Sequence, residues 1–349
     1  MKFLFPKLGQ GLLVIWGIVT LMFIIFYALG NPTDYLVDEK ADQATREATM
    51  ARYGLDKPLI VQYGRYLNQL SPIGWVDSLL AKEVTHWPRF ERESGPHLAF
   101  KAPYLGRSYI SRVEVGQLIA DRLPGTIVLA LAAILLAAGL GISLGTVAAL
   151  RYGSALDQSI LSSSVLGISA PSFFVGVVVA YLFAVKFQDW THLQFSGYIW
   201  EDNIFGAGKH LKLKNLLLPA LALGVRPLAI FIQLTRSSLL DVLNSEYIRT
   251  AKAKGLSYGV VLVKHALRNA LNPVLTAITS WLASLLAGAF FIEYIFNWQG
   301  IGKLMIDALT QNDYPVIIGC SLTIGIIFVL VNIVTDWLYQ RLDPRVSYD

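Results

Sequence analysis

Apolar runs long enough to cross hydrocarbon alternate with polar stretches along the whole chain. Residues 8–30 carry no charge and follow Lys2 and Lys7. Uncharged runs recur at 125–150, 159–185, 270–292 and 314–335; 216–235 is also long enough but holds Arg226 at its centre. About 20 apolar residues at 1.5 Å per residue span a hydrocarbon layer of ~30 Å, so the pattern predicts six transmembrane helices. The first is expected to be an uncleaved span, because its apolar run exceeds a signal-peptide core and no A-x-A site follows. The expected fold class is an all-α integral membrane protein with a long extracytoplasmic region between its first and second spans.

The polar stretches carry finer signals. Residues 44–53 read as a surface helix ended by Gly54, and Leu55-Asp-Lys-Pro-Leu59 as a turn. Pro72, Pro88, Pro96 and Pro103 predict a loop over 71–105. Residues 113–122 read as an interfacial helix that delivers Pro124 to the first turn of the next span. Pro171 is expected to kink the third span, and Gly224 with Pro227 to break the fourth. Gly139, Gly141, Gly145, Gly167 and Gly176 suit close helix packing. The expected organisation is a first span within 1–30, an extracytoplasmic region with short helices at 31–124, a five-helix core at 125–338 and a tail at 339–349.

One polar stretch stands apart. Arg236, Arg249, Lys252, Lys254, Lys264 and Arg268 face only Asp241 and Glu246 between two apolar runs. A short loop this basic belongs on the cytoplasmic side. With these six included, eleven basic residues in the short segments fall on the side of the N-terminus and five on the other, so both termini are expected in the cytoplasm. Residues 246–255 are rich in Ala, Lys and Arg and free of Pro, which predicts a short helix stopped by Gly255. Ile248, Ala251 and Gly255 fall at i, i+3 and i+7, a small apolar face beside a basic one. Pattern alone leaves two readings open: a loop drawn to anionic lipid, or a helix that enters a partner's groove.

Composition narrows the classes. The 349 residues are 54% hydrophobic and 15% charged, with mean hydropathy +0.52, against about a quarter charged in soluble domains. The net charge of +5 gathers in loops, with none of the broad basic face that nucleic acid requires. Cys320 is the single cysteine and the five histidines are scattered, so no disulfide framework or metal site is expected. Gly141-Ile-Ser-Leu-Gly145 fits a nucleophile pattern but lies in an apolar run without the strand–turn–helix setting; it reads as a packing notch. Gly206-Ala-Gly-Lys-His210 lacks the leading glycine and trailing hydroxyl of a phosphate loop. No catalytic residue and no cofactor in this chain are therefore expected. Arg226 costs at least ~2.5 kcal/mol at mid-bilayer and reads as a substrate-pathway residue, as half of a structural ion pair, or as a residue of a helix that starts deeper than the apolar run suggests. Glu293 and Asp336 read as interface anchors or partners of a nearby Arg, and Trp281, Trp298, Trp337, Tyr294 and Tyr314 as interfacial aromatics.

The run from Tyr247-Ile-Arg-Thr-Ala-Lys-Ala-Lys-Gly255, with His265-Ala-Leu-Arg-Asn-Ala-Leu271 and Pro273 after it, resembles the EAA loop of binding-protein-dependent ABC importers. Arg249, Thr250 and Ala251 occupy its Glu-Ala-Ala positions. Gly54-Leu-Asp-Lys-Pro-Leu59, Leu218-Pro-Ala-Leu-Ala-Leu-Gly224, Glu293-Tyr-Ile-Phe296 with Gly300-Ile-Gly302, Asp313-Tyr-Pro315 and Leu342-Asp-Pro-Arg345 agree in order along nearly the whole chain. The likeness is greatest to the first permease subunit of the dipeptide, oligopeptide and nickel group. It implies a six-span permease in a bacterial cytoplasmic membrane that moves peptides or similar small solutes. The implied partners are a second permease, two cytoplasmic ATPases that bind ATP and Mg, an extracytoplasmic solute-binding protein and membrane lipid. Glu246, Tyr247, Ile248, Arg249, Thr250, Ala251, Lys252, Lys254 and Gly255 would form the coupling helix that docks on one ATPase. The competing expectations are an ion-coupled secondary transporter using Arg226, Asp336 or Glu293, and a membrane enzyme built on Ser143.

Overall fold

Backbone groups in hydrocarbon must be satisfied within their own segment, which favours helices. The computed structural model describes residues 4–28, 42–53, 55–76, 97–101, 103–198, 200–202 and 209–342, and helices dominate them. Four are long and apolar enough to cross a bilayer: Pro6–Phe26, Val115–Leu150, Lys214–Leu243 and Tyr314–Trp337. Two bent pairs, Ala155–Ser169 with Ser172–Lys186 and Tyr258–Ala270 with Asn272–Gly288, pass the same test jointly. The described chain thus holds four to six spans, an all-α membrane architecture.

In chain order the helices are α1 (Leu4–Phe23), α2 (Gln43–Tyr53), α3 (Leu59–Leu70), α4 (Val115–Leu150), α5 (Ala155–Ser169), α6 (Ser172–Tyr181), α7 (Lys214–Leu243), α8 (Glu246–Ala253), α9 (Tyr258–Ala270), α10 (Asn272–Gly288), α11 (Phe290–Ile295), α12 (Ile301–Thr310) and α13 (Tyr314–Leu342). Wider π turns extend α1 over Ile24–Ala28 and α6 over Leu182–Lys186. A single further helical turn covers Gln188–Thr191, and the described residues also hold two antiparallel ribbons: β1 (Ile73–Val76) with β2 (His97–Phe100), and β3 (Trp200–Asp202) with β4 (Lys209–Leu211). Gly54, the middle of the 71–105 stretch and the Gly206–Gly208 glycines lie outside the described residues.

Three expectations change. Residues 115–150 form one helix with Pro124 inside it, not an interfacial helix followed by a span. Val115 and Ile119 are buried before the proline and Leu129 and Ala133 after it, so packing on both sides holds the helix through the lost hydrogen bond. Likewise α7 runs unbroken through Pro219, Gly224 and Pro227. A Cβ at Gly224 would lie 2.9 Å from the carbonyl oxygen of Ala133; the glycine admits α4 rather than breaking α7. Third, part of the 71–105 stretch is the β1–β2 ribbon. The break at Pro171, by contrast, exceeds a kink. Ala170 is extended (φ −73°, ψ 134°), as the residue before a proline prefers, and α5 and α6 diverge by 115°.

The chain packs as two units. The larger comprises Arg122–Lys303 with the α13 residues from Ile327 onward. Its core is built on Leu129, Leu218, Phe231, Ile292, Phe296 and Trp298. Gly141 and Gly145 form the expected notch: a Cβ would sit 2.6 Å from Phe231 Cβ at the first and 2.6 Å from the Ile232 carbonyl at the second. The Ser143 hydroxyl between them donates to the Gly139 carbonyl at 2.7 Å within α4, so the motif is a turn of helix and not a nucleophile elbow.

The smaller unit holds Phe5–Asp121 and Leu304–Ile326. Val19 and Phe23 of α1, Tyr66 of α3, and Ile318 and Leu322 of α13 form its core. The buried Asp313 carboxylate accepts from the Ser108 hydroxyl at 2.5 Å and the Tyr109 amide at 2.9 Å, which ties the approach to α4 to the start of α13.

Candidate functional site

The eight residues of α8 form a stub about 12 Å long at 1.5 Å per residue. Glu246 stands in its first turn and Lys252 in its last, both favourable to the helix dipole. The chain leaves the helix through Gly255 at φ +79°, a left-handed conformation that glycine adopts without Cβ strain. Nothing lies within 4 Å of a Cβ built there, so the glycine answers a backbone requirement and not a spatial one.

The two faces of α8 are unlike. Ile248 is fully buried and Ala251 nearly so. They pack with Ala149 at the end of α4, Leu239 near the end of α7, and Val261, Ala266 and Ala270 of α9. Here the sequence reading is corrected. The i, i+3 apolar pair is the seat of α8 on its own chain, because these small flat side chains close a cluster whose other members come from three distant segments. Glu246, Tyr247, Arg249, Thr250, Lys252, Lys254 and Gly255 make the exposed face. On it the Arg249 guanidinium meets Glu246 at 2.8 Å, and Asn269 donates to the Tyr247 hydroxyl at 2.9 Å.

Arg236, one of the six basic residues of the loop pattern, is not on that surface. It lies in α7 and makes a fork with Asp157 of α5, Nε to Oδ1 at 2.6 Å and Nη2 to Oδ2 at 2.8 Å. Asp157 is 2% exposed and also accepts from the Gly153 amide at 2.9 Å. The Tyr152 ring lies 5.1 Å from the guanidinium carbon. This pair fixes the α4–α5 turn to α7 two to three turns before α8. Sequence reasoning missed it: Asp157 sits 79 residues away, and its only local signature is the Ser154 cap that bonds its amide.

Arg226 is not brought to α8. It stands about 25 Å up α7 from Leu243 at 1.5 Å per residue, on an exposed face, and makes no ion pair among the described residues. The structural-pair reading therefore finds no partner within the described chain. An open groove of about 280 Å³ is lined by Val225, the neighbour of Arg226 in sequence, with Leu228, Ala229, Ser159, Ser163 and Ser164, among others; Arg226 itself is not in the lining. Gln233 donates to Ser164 at 3.2 Å. The groove joins small hydroxyls to an apolar floor.

A further cluster surrounds Glu293. It is fully buried and has no arginine partner among the described residues. Its carboxylate accepts from the Thr126 hydroxyl at 2.7 Å and the amides of Gly302 and Lys303, the latter at 3.0 Å. These amides open α12, so the acid satisfies the unpaired N–H groups of a helix start. Thr126 also accepts from the Ile301 amide at 2.9 Å, and the Trp298 indole donates to the Gly125 carbonyl at 2.9 Å. Trp298 is thus a core residue and not an interfacial one. A Cβ at Gly300 would come within 2.3 Å of the carboxylate, and one at Gly302 within 2.6 Å of Phe290 Cα; the Gly-Ile-Gly spelling follows from that closeness.

The family described as binding-protein-dependent transport system inner membrane component matches residues 141–348, and its N-terminal companion matches residues 1–130. The di/tripeptide transport system permease protein DppB of Pseudomonas aeruginosa is 34% identical over all of this chain and 99% of its own. The oligopeptide transport system permease protein AppB of Bacillus subtilis is 33% identical over 96% of each, and the dipeptide permease DppB of Escherichia coli K12 is 33% identical over 100% and 99%. A solved structure titled as an amino acid ABC transporter with histidines superposes with a TM-score of 0.45 at 13% identity, over 65% of this chain and 94% of that one. The chain belongs to the binding-protein-dependent transport system inner membrane component family, and is a multi-pass membrane permease of an ATP-binding-cassette importer.

Proposed function

We propose that this permease carries peptides or similar small solutes inward, and that α8 is the point where ATP-driven motion enters it. In this reading six spans leave both termini on one side, the excess of basic residues supports that side and α8 being cytoplasmic, and the region before α4 lies outside, where a solute-binding protein delivers cargo. A second, related permease completes the pathway, and two ATPase subunits hold ATP and Mg. The observation that carries the reading is the division of α8, whose inner face is locked to three membrane segments while its basic outer face is free. Peptide cargo is supported by the names of the full-length relatives. The permease breaks no bond itself. It is a two-state element whose balance is biased by nucleotide on one side and loaded binding protein on the other.

Within that pathway Arg226 meets the anionic end of the cargo. A charge-assisted hydrogen bond contributes about 1.5–3 kcal/mol, roughly 10- to 100-fold in affinity. The test is uptake into proteoliposomes holding the whole transporter. Uptake requires ATP and no ion gradient, and Arg226→Leu raises the half-saturating concentration of a peptide without lowering the amount of assembled protein. Uptake driven by an ion gradient without ATP rejects the importer reading; an unchanged half-saturation rejects the role of Arg226.

A further inference from the structure

We propose that α3 is an interfacial membrane helix whose outer face lies in lipid at the Phe26 end of the first span. Its inner face is held against α1 and α13. The Tyr63 hydroxyl lies 2.7 Å from Thr20 Oγ1 of α1, and the Phe23 ring stands 5.0 Å from Tyr63 and 5.8 Å from Tyr66. Tyr66 is buried with Val19 and Phe23 of α1 and with Ile318 and Leu322 of α13.

These contacts are not at the tips of the spans. Thr20 is six residues inside the Phe26 end of the first apolar segment, and Leu322 eight residues inside the Tyr314 end of the last. At 1.5 Å per residue the two depths are about 9 Å and 12 Å, at and slightly beyond the depth of about 5–10 Å to which amphipathic interfacial helices bury their apolar faces. A helix about 10 Å across that is docked at this depth cannot present its other side to bulk water.

The other side is composed accordingly. Leu59, Ile60 and Val61 are 50%, 76% and 42% exposed, and Gly64 and Arg65 continue the same face at i+4. Scattered apolar exposure is ordinary, but this patch adjoins a span whose own Leu12, Leu13, Trp16 and Leu21 are equally exposed. Lys57 and Arg65 flank it and have stems long enough to carry their charges to the headgroups. The β1 strand reinforces the pattern. Asn68 of α3 clamps the backbone of Trp75 through two hydrogen bonds of 2.8 Å, and Trp75 and Ile73, on one face of the strand, stand exposed. A tryptophan at that level is an interfacial anchor. Part of the stretch between the first two spans is therefore membrane surface.

Spin labels on single cysteines test this in the full chain reconstituted in phospholipid nanodiscs; the native Cys320 is buried. Ile60→Cys and, for comparison, Asp56→Cys are read by collision with oxygen, which concentrates in lipid, and with a water-soluble nickel chelate. The label at Ile60 favours oxygen and the label at Asp56 favours nickel. Nickel preference at Ile60 overturns the proposal by placing the face in water. Low access to both reagents at Ile60 overturns it by placing a protein there, and repeating the reading with and without the solute-binding protein identifies which one.

Discussion

Reversing charge at Arg249 and Lys252 together lowers ATP-driven uptake by roughly 10- to 100-fold, the cost of about 1.4–3 kcal/mol of lost docking energy, while membrane-inserted protein stays at its normal level. Both residues lie on the exposed face of α8. The Arg249–Glu246 pair is 70% and 84% exposed, and such pairs add little to stability. The inner face makes the contrast. Ile248→Ala opens a cavity beside Leu239 and Val261, and large-to-small changes of this kind cost up to several kcal/mol, roughly 2–5 for Ile→Ala. It should lower the thermal midpoint of the detergent-purified protein, which the charge reversals leave unchanged. Full uptake by the double reversal removes the docking role from this face; a large loss of folded protein in that variant shows that the faces have been assigned the wrong way round.

Glu293→Ala is expected to leave little folded protein. It strips three donors of their acceptor: the buried Thr126 hydroxyl and Gly302 amide, and the partly buried amide of Lys303. Each unsatisfied buried donor costs about 1–3 kcal/mol, and the total approaches the 5–15 kcal/mol by which proteins are stable at all. Glu293→Gln retains an acceptor oxygen and the side-chain shape, and should be recovered at an intermediate yield by size-exclusion chromatography. Equal recovery of the two variants contradicts the anchoring role. So does normal recovery of Gly302→Ala, whose new Cβ has to displace the backbone of Phe290.

Much of this was legible in one dimension because a bilayer imposes a strong rule. Apolar runs at 8–30 and 314–335 became α1 and α13 since nothing but a continuous helix satisfies their backbone there. Gly255 was legible because a helix end needs a left-handed residue, and the Gly141–Gly145 notch because helices that touch need small residues. The misreadings share a cause. Pro124, Gly224 and Pro227 are local breakers, and the neighbours that override them lie up to ninety residues away, as Ala133 does from Gly224. The same distance hid the polar anchors, with Asp157 79 residues from Arg236 and Thr126 167 from Glu293. It also hid the orientation of α8. Two apolar positions on a short helix look identical whether they face a partner or their own chain, and only Ala149, Val261 and Ala270 decide it.

The most direct test of the account is a cysteine crosslink from Thr250, which is exposed at the middle of the outer face of α8. In the assembled transporter, Thr250→Cys paired with a cysteine in the ATPase groove should crosslink through a short linker with an efficiency that changes between the nucleotide-free and ATP-bound states. No crosslink to an ATPase in either state, with labelling of Thr250→Cys by a membrane-impermeant thiol reagent from outside intact cells, would contradict it.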